Sequence, residues 1–373
     1  MNQVYTFSFP TTIIFGVGAV STLAEQMRTR GMKRPLVVTD RALVTLPVFA
    51  EIQKAMPSDF PVFSGVDPNP REKNVHDGLA AYRESKCDSL VAAGGGSAID
   101  AAKAIRLAVT HTRPLVDYDD VKNGGDLITA NLPPLLAVPT TAGTGSDVGR
   151  STVITLDATQ RKTVLFSPYL IPSASISDPA LTVDMPAKIT AGTGMDAFTH
   201  NFEAYLAVGY HPMCDAIAVE GLRLAWSSIE RAVTHPQNLT ARTNMMMSAI
   251  MGATAFQKGL GAVHSLSHPL STIGRMHHGT SNAVLLPAVT EFNTPAIPEH
   301  LKVLEQIMGT TNVPNALREL NQRVGIDPRL RDYGITEEMI EPMLVKAMED
   351  GCRLSNPRPC GEAEMRAIYR QVL

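Results

Sequence analysis

Residues 90–105 read LVAAGGGSAIDAAKAI: an apolar run, three glycines, a serine, then apolar residues at helical spacing. A β-rich run that breaks on glycines and resumes as a helix is the start of a strand–turn–helix unit. Gly94, Gly95 and Gly96 allow positive φ and leave room for a ligand against the backbone. The helix behind them offers free N–H groups and the positive end of its dipole, where a phosphate can sit. The spacing is neither GxGxxG nor that of a P-loop. On these residues alone the stretch fits a phosphate cradle or simply a tight turn.

Further short β-rich runs lie around it: RPLVVTD (34–40), PPLLAVPTT (133–141), STVITLD (151–157), KTVLFS (162–167) and SASISD (173–178). Helical patterns precede and follow the first of them, AVSTLAEQMRTRG (19–31) and VHDGLAAYRESK (75–86). Strands alternating with amphipathic helices predict a parallel α/β sheet with helices on both faces. From about residue 185 the strand signals stop. PAKITAGTGMDAFTHNFEAYLA, PMCDAIAVEGLRLAWSSIERAV, TARTNMMMSAIMGATAFQKG and TEEMIEPMLVKAMEDG all carry helical periodicity, and Pro186 suits a first helical turn. The expectation is an α/β domain over 1–184 and an all-helical domain over 185–373. No Pro/Ser/Gly linker marks the switch, so the two are expected to pack tightly around a cleft.

Two features add to the glycine turn. VPTTAGTGSD (138–147) is a second loop, dense in hydroxyls and glycines, after an apolar run. Asp40 ends LVVTD, where an acid can accept hydrogen bonds from an adenosine ribose and repel a 2′-phosphate, favouring NAD over NADP. Its plainer reading is a helix N-cap ahead of RALV.

The 373 residues exceed one ordinary core, which agrees with two domains. With 44% hydrophobic and 18% charged residues the composition is that of a globular enzyme, and a net charge of −3 points to neither nucleic acid nor an anionic membrane. No apolar run reaches the roughly 18 residues of a membrane span, and the N-terminus lacks the pattern of a signal peptide. Cys87, Cys214, Cys352 and Cys360 are scattered, so free thiols and a cytoplasmic location are expected.

The chemistry concentrates further on. GAVHSLSHPLSTIGRMHHGTSNAV (261–284) contains His264, His268, His277 and His278 but no acid. GTGMDAFTHNFEAY (192–205) supplies one: Asp196 and His200 are four apart in a helical pattern and share a face. A carboxylate with two or three imidazoles suits Fe²⁺ or Zn²⁺ rather than Mg²⁺ or Ca²⁺. Spacing does not decide which of the four later histidines bind.

Taken with FPTTIIFGVGAV, DPNP, GGGSAIDAAKA and NPRPCGEAEM, these motifs resemble the iron-containing, group III alcohol dehydrogenases along essentially the whole chain. The resemblance implies metal ligation by Asp196, His200, His264 and His278. It places His268 near the substrate, a candidate to relay the alcohol proton, and leaves His277 at a variable position, read here as an exposed neighbour. It implies cofactor contacts by Asp40, Asn69, Gly95, Gly96, Ser97, Asp100, Thr140, Thr141, Thr144 and Lys162. Asp147 stands where the family commonly has Glu, and Gly149 where it commonly has Thr, which puts contacts near the nicotinamide in question.

The implied activity is metal-dependent hydride transfer between NAD(H) and a small alcohol or aldehyde in the interdomain cleft, with Fe²⁺ or Zn²⁺. Lactaldehyde, a propanediol, a simple primary alcohol and a functionalised aldehyde all remain open as substrates. A homodimer, or a larger homo-oligomer, through the N-terminal strand is also implied. Glycerol dehydrogenase-like zinc chemistry is the nearer alternative. Dehydroquinate synthase, similar in fold, is the more distant one, since 192–205 and 261–284 hold only Arg275 as a cation for a phosphorylated sugar acid.

Overall fold

The computed structural model describes residues 7–157 and 161–373. It divides into two compact units, one of Pro10–Thr141 and Gly145–Asp184, the other of Ala142–Thr144, Met185–Leu373 and the described part of Met1–Phe9. Against the single cut after residue 184 read from the sequence, Ala142–Thr144 therefore group with the helices. The reason is close contact: a Cβ on Gly143 would lie 2.8 Å from Thr193 Cβ.

The first unit runs β1 (Ile13–Phe15), α1 (Leu23–Thr29), β2 (Pro35–Asp40), α2 (Pro47–Lys54), β3 (Val62–Val66), α3 (Glu72–Glu84), β4 (Ser89–Gly94), α4 (Gly96–Thr110), β5 (Leu135–Pro139), β6 (Ser151–Leu156), β7 (Arg161–Phe166) and β8 (Ala174–Ser177). Six strands form one parallel sheet in the order β1-β8-β5-β4-β2-β3. Because helices cover both faces, the central strands β2, β4 and β5 are buried on both sides and mostly apolar rather than alternating. Leu36, Val38, Leu90, Ala92, Leu135 and Ala137 pack against Val75 and Tyr82 of α3 and Ile99 and Ile105 of α4. Their neighbours Val37, Val91, Ala93, Leu136 and Val138 pack the other way, against Leu23 and Met27 of α1 and Phe49 and Ile52 of α2.

Two strands escape the sequence reading. β1 is three residues long, and β3 lies at the sheet edge, mostly half-exposed, so neither makes a continuous apolar run. The runs at 151–157 and 162–167 are strands, but they pair antiparallel with each other as a separate ribbon. Val153 faces Val164 in this ribbon, and Ile154, Leu156 and Leu165 cover the α3–α4 face of the sheet.

Strand order sets the place of the ligand. β3 lies on one side of β2 and β4 on the other, so the chain reverses direction across the sheet between them. α2, after β2, covers one face, while α4, after β4, covers the opposite one. In open α/β sheets ligands bind outside the carboxyl ends of the strands at such a point. Here those ends are Asp40 and Gly94.

The second unit is helical: α5 (Ala187–Leu206), α6 (Pro212–Thr234), α7 (Leu239–Ala255), α8 (Ala262–Thr272), α9 (His278–Asn293), α10 (Pro298–Met308), α11 (Val313–Arg323), α12 (Ile340–Glu349) and α13 (Glu362–Val372). α5 is buried at every position from Thr190 to Leu206 and packs on α6, α7 and α9. A helix buried all round is the axis of its unit. At 20 residues it extends roughly 30 Å. Polar side chains it carries are therefore desolvated and need partners. No helix among the described residues is long and apolar enough to cross a membrane.

Candidate active site

Asp196 and His200 project from the middle of α5, one turn apart. His264 comes from the first turn of α8, and His278 opens α9 after the intervening loop. The four meet around one atom, Asp196 Oδ1. His200 Nε2 lies 3.7 Å from it, His264 Nε2 4.0 Å and His278 Nε2 3.5 Å. A tetrahedral ion with ligands at about 2.1 Å separates them by about 3.4 Å. The observed spacing exceeds that only slightly, and one atom each from Asp196, His200 and His264 lie within 4.8 Å of one another. The donor set, neutral nitrogens with one carboxylate, fits Fe²⁺ or Zn²⁺.

The electrostatics favour this role. Burial holds the His200 imidazole down at about 4, against the pull of Asp196, so it keeps its lone pair at neutral pH. At His264 burial acts the same way, but the hydrogen bond and charge of Glu203, with Asp196 and Asp350 adding, outweigh it and raise the pKa. The His200 and His264 rings stack, their centroids 4.8 Å apart and planes 15° from parallel.

Three supporting residues carry no role in the sequence reading. Asn282, one turn into α9, donates from Nδ2 to Asp196 Oδ1 at 2.8 Å. Glu203 accepts from His264 Nδ1–H at 2.6 Å. Asp350 accepts from His268 Nδ1–H at 2.7 Å, while its other oxygen takes Ser265 Oγ–H and the Cys352 amide. Burial pushes the Asp350 carboxyl up, but the His268 charge and these hydrogen bonds prevail and hold it below the usual carboxylate range. Asp196, His200 and Glu203 fall at i, i+4 and i+7, so helical spacing alone could have marked Glu203. Asp350 lies far away in sequence and left no such signal.

His268 stacks on His278, with centroids 5.2 Å apart and planes 16° from parallel, and its side chain is 33% exposed. It thus sits beside the cluster with a fixed tautomer and access to solvent. His277 is exposed and caps α9, its Nδ1 accepting from the Thr280 amide at 3.4 Å. All four cysteines are free, and burial raises the Cys352 thiol well above its usual value.

The α/β unit gathers most of the residues expected to contact the cofactor at the switch point. Gly94 has φ +147°, a conformation that favours glycine, and a Cβ there would lie 2.8 Å from Ala98 and 3.9 Å from Asp40 Oδ2. Asp40 Oδ1 accepts from the Ala42 and Leu43 amides, both at 2.9 Å. One Asp40 oxygen therefore holds the turn ahead of Leu43, while the other faces the glycine turn. Thr140 N–H donates to Gly94 O, and Thr141 packs on Gly95. Ser97 Oγ–H binds Pro68 O at 2.5 Å, drawing the exposed Asn69 loop to the start of α4. Thr144 belongs to the segment that groups with the helices.

Asp100 is turned inward, accepting from Ser146 Oγ at 2.5 Å and the Val153 amide at 3.2 Å; burial raises its carboxyl pKa despite these bonds and the charges of Lys103 and Lys162. Its side chain ties the 140–150 loop and the β6–β7 ribbon to α4. Asp147 also points inward, accepting from Ser175 Oγ at 2.6 Å and Ser177 Oγ at 3.3 Å. Gly149 O accepts from the buried Lys103 ammonium at 2.9 Å. The departures at Asp147 and Gly149 thus make their bonds within the unit's framework.

A strand-end cradle for a dinucleotide and a buried carboxylate–imidazole cluster define a metal-dependent oxidoreductase. Residues 10–179 match the family of iron-containing alcohol dehydrogenases, and 190–373 match its C-terminal region. The chain belongs to that family and is an alcohol dehydrogenase, acting on CH–OH groups. It is 41% identical to 4-hydroxybutyrate dehydrogenase from Cupriavidus necator, over 97% of this chain and 98% of that one. The crystal structure of a 1,3-propanediol oxidoreductase superposes with a TM-score of 0.94 at 37% identity, covering 100% of both chains. Sulfoacetaldehyde reductase from Bifidobacterium kashiwanohense in complex with NAD+ gives 0.91 at 28% identity, covering 100% of this chain and 99% of that one.

Proposed function

We propose that the protein interconverts a short primary alcohol and its aldehyde with NAD(H), using Fe²⁺ held by Asp196, His200, His264 and His278. The observation that carries this reading is the approach of three imidazole Nε2 atoms to the same Asp196 oxygen at 3.5–4.0 Å. The named activities of its relatives favour an alcohol with a second polar group two or three carbons away, such as 1,3-propanediol or 4-hydroxybutyrate.

When bound, the ion would supply Lewis acidity toward an alcohol or aldehyde oxygen, and NAD(H) would supply the hydride acceptor or donor. The chain's own residues do the rest. The backbone of Gly95 and Gly96 and the N-terminus of α4 receive the pyrophosphate. Asp40 Oδ2 accepts from the ribose hydroxyls, and Asn69, Ser97, Thr140, Thr141, Thr144 and Lys162 complete the cofactor contacts. Asp100 acts by holding the loop rather than by touching the cofactor. His268, its Nδ1–H tied to Asp350, takes the alcohol proton at Nε2 and passes it to solvent.

We also assign the protein to the cytoplasm and to a homodimer or larger homo-oligomer, supported by four free thiols and by β1 at the sheet edge. The activity is tested by NAD+ reduction with 1,3-propanediol, 4-hydroxybutyrate and ethanol on Fe²⁺-loaded protein. Turnover is expected with the first two, whereas turnover with ethanol alone would overturn the preference for a second polar group.

A further inference from the structure

We infer that Glu203 is a positioning residue of the metal centre, fixing the tautomer and orientation of His264; this rests on His264 being a ligand. Glu203 is 4% exposed near the end of α5. A carboxylate buried so deeply is costly unless its oxygens are satisfied. Its Oε1 accepts the Val263 amide at 2.7 Å, and its Oε2 accepts both the His264 amide at 3.3 Å and His264 Nδ1–H at 2.6 Å. Val263 and His264 lie in the first turn of α8, whose amides have no partner within the helix and whose dipole favours a negative charge. Gly261 makes room: a Cβ there would stand 2.7 Å from Glu203 Oε1.

The consequence lies on the far side of the ring. A proton kept on Nδ1 by Glu203 leaves Nε2 bare, and Nε2 is the atom 4.0 Å from Asp196 Oδ1. The opposite tautomer would present an N–H to the ion and could not bind it. The two amide bonds hold the backbone of His264 as well, so the ring cannot slide along the α5 face. Asp196, His200 and Glu203 thus place two ligands and the support of a third on one stripe of a single buried helix.

The test compares parent, Glu203→Gln and His264→Ala for Zn²⁺ affinity by competition with a chromophoric chelator. Histidine ¹⁵N–¹H correlation spectra of the Zn²⁺-loaded proteins report the Nδ1 proton of His264. Glu203→Gln should weaken Zn²⁺ binding about 10- to 100-fold, the range for partners of metal-bound histidine. It should also shift the His264 Nδ1–H resonance upfield as the charged acceptor is lost. His264→Ala should weaken binding further. Unchanged affinity in Glu203→Gln overturns the inference, and so does weaker binding with an unmoved Nδ1–H resonance, which would make the carboxylate only a support for α8. Equal affinity in parent and His264→Ala removes the ligand assignment and the inference with it. Thermal melts of the metal-free proteins exclude loss of fold as the cause.

Discussion

Replacing Asp40 by serine separates its two uses. One oxygen caps the turn after β2 through the Ala42 and Leu43 amides, and the other faces Gly94, where we propose that the adenosine ribose binds. Serine can still cap, so the loss of stability should stay below about 1 kcal/mol. It cannot offer a charged acceptor to the ribose hydroxyls, a loss of about 1.5–3 kcal/mol, or roughly 10- to 150-fold in kcat/KM for NAD+. A 2′-phosphate charge about 4 Å from the carboxylate is opposed by about 4 kcal/mol at an effective dielectric of 20. Asp40 is half-exposed, and solvent and salt reduce this to about 2 kcal/mol. Relief of that repulsion should raise kcat/KM for NADP+ roughly 30-fold. The NADP+/NAD+ preference, measured by initial rates at fixed alcohol, should therefore rise at least about 300-fold. A variant that melts slightly earlier but keeps the parent preference would refute the ribose role and leave Asp40 as a cap alone.

Further outcomes follow from the same geometry. His268→Ala should lower kcat by about 10²-fold or more while the metal content stays at one per chain by mass spectrometry; metal loss would reassign His268 as a ligand. Lys103→Met should cost about 2–4 kcal/mol in urea denaturation, because Gly149 O and Ser151 O lose the buried ammonium that serves both. In the metal-free chain His200 titrates at about 4 when folded and near 6.5 when unfolded. Its depressed pKa means the unfolded state takes up the proton first, so stability is full above pH 6.5 and falls as pH drops toward 4, by on the order of 3 kcal/mol. His200→Asn should flatten that part of the pH–stability curve, and an unaltered slope would contradict the burial argument.

Legibility in the sequence followed the kind of signal each element leaves. β2, β4 and β5 are mostly apolar runs because helices cover both faces of the sheet, and such runs are easily read. β1 and β3 are the two edge strands, the first too short and the second too broken by Ser64 and Gly65 to stand out. That β6 and β7 leave the parallel sheet was hidden, since both alternate like any half-covered strand. At the metal cluster, Asp196 and His200 share a helix face and their proximity is periodic. Choosing among His264, His268, His277 and His278 needed the resemblance, because adjacent histidines at a loop–helix junction point in directions no spacing records. His277 turns to cap α9, while His278 turns to Asp196. Partners contributed across the fold, such as Asp350 for His268, became visible only once tertiary contacts were in hand.

The most direct test strips the protein of metal, reloads it with Fe²⁺ or Zn²⁺, and follows NAD+ reduction with 1,3-propanediol alongside metal stoichiometry. The account predicts one ion per chain, no turnover without it, turnover restored by Fe²⁺, and weakened metal binding with no turnover in His264→Ala. Undiminished turnover in the stripped protein, or silence despite one bound Fe²⁺ per chain, would contradict it.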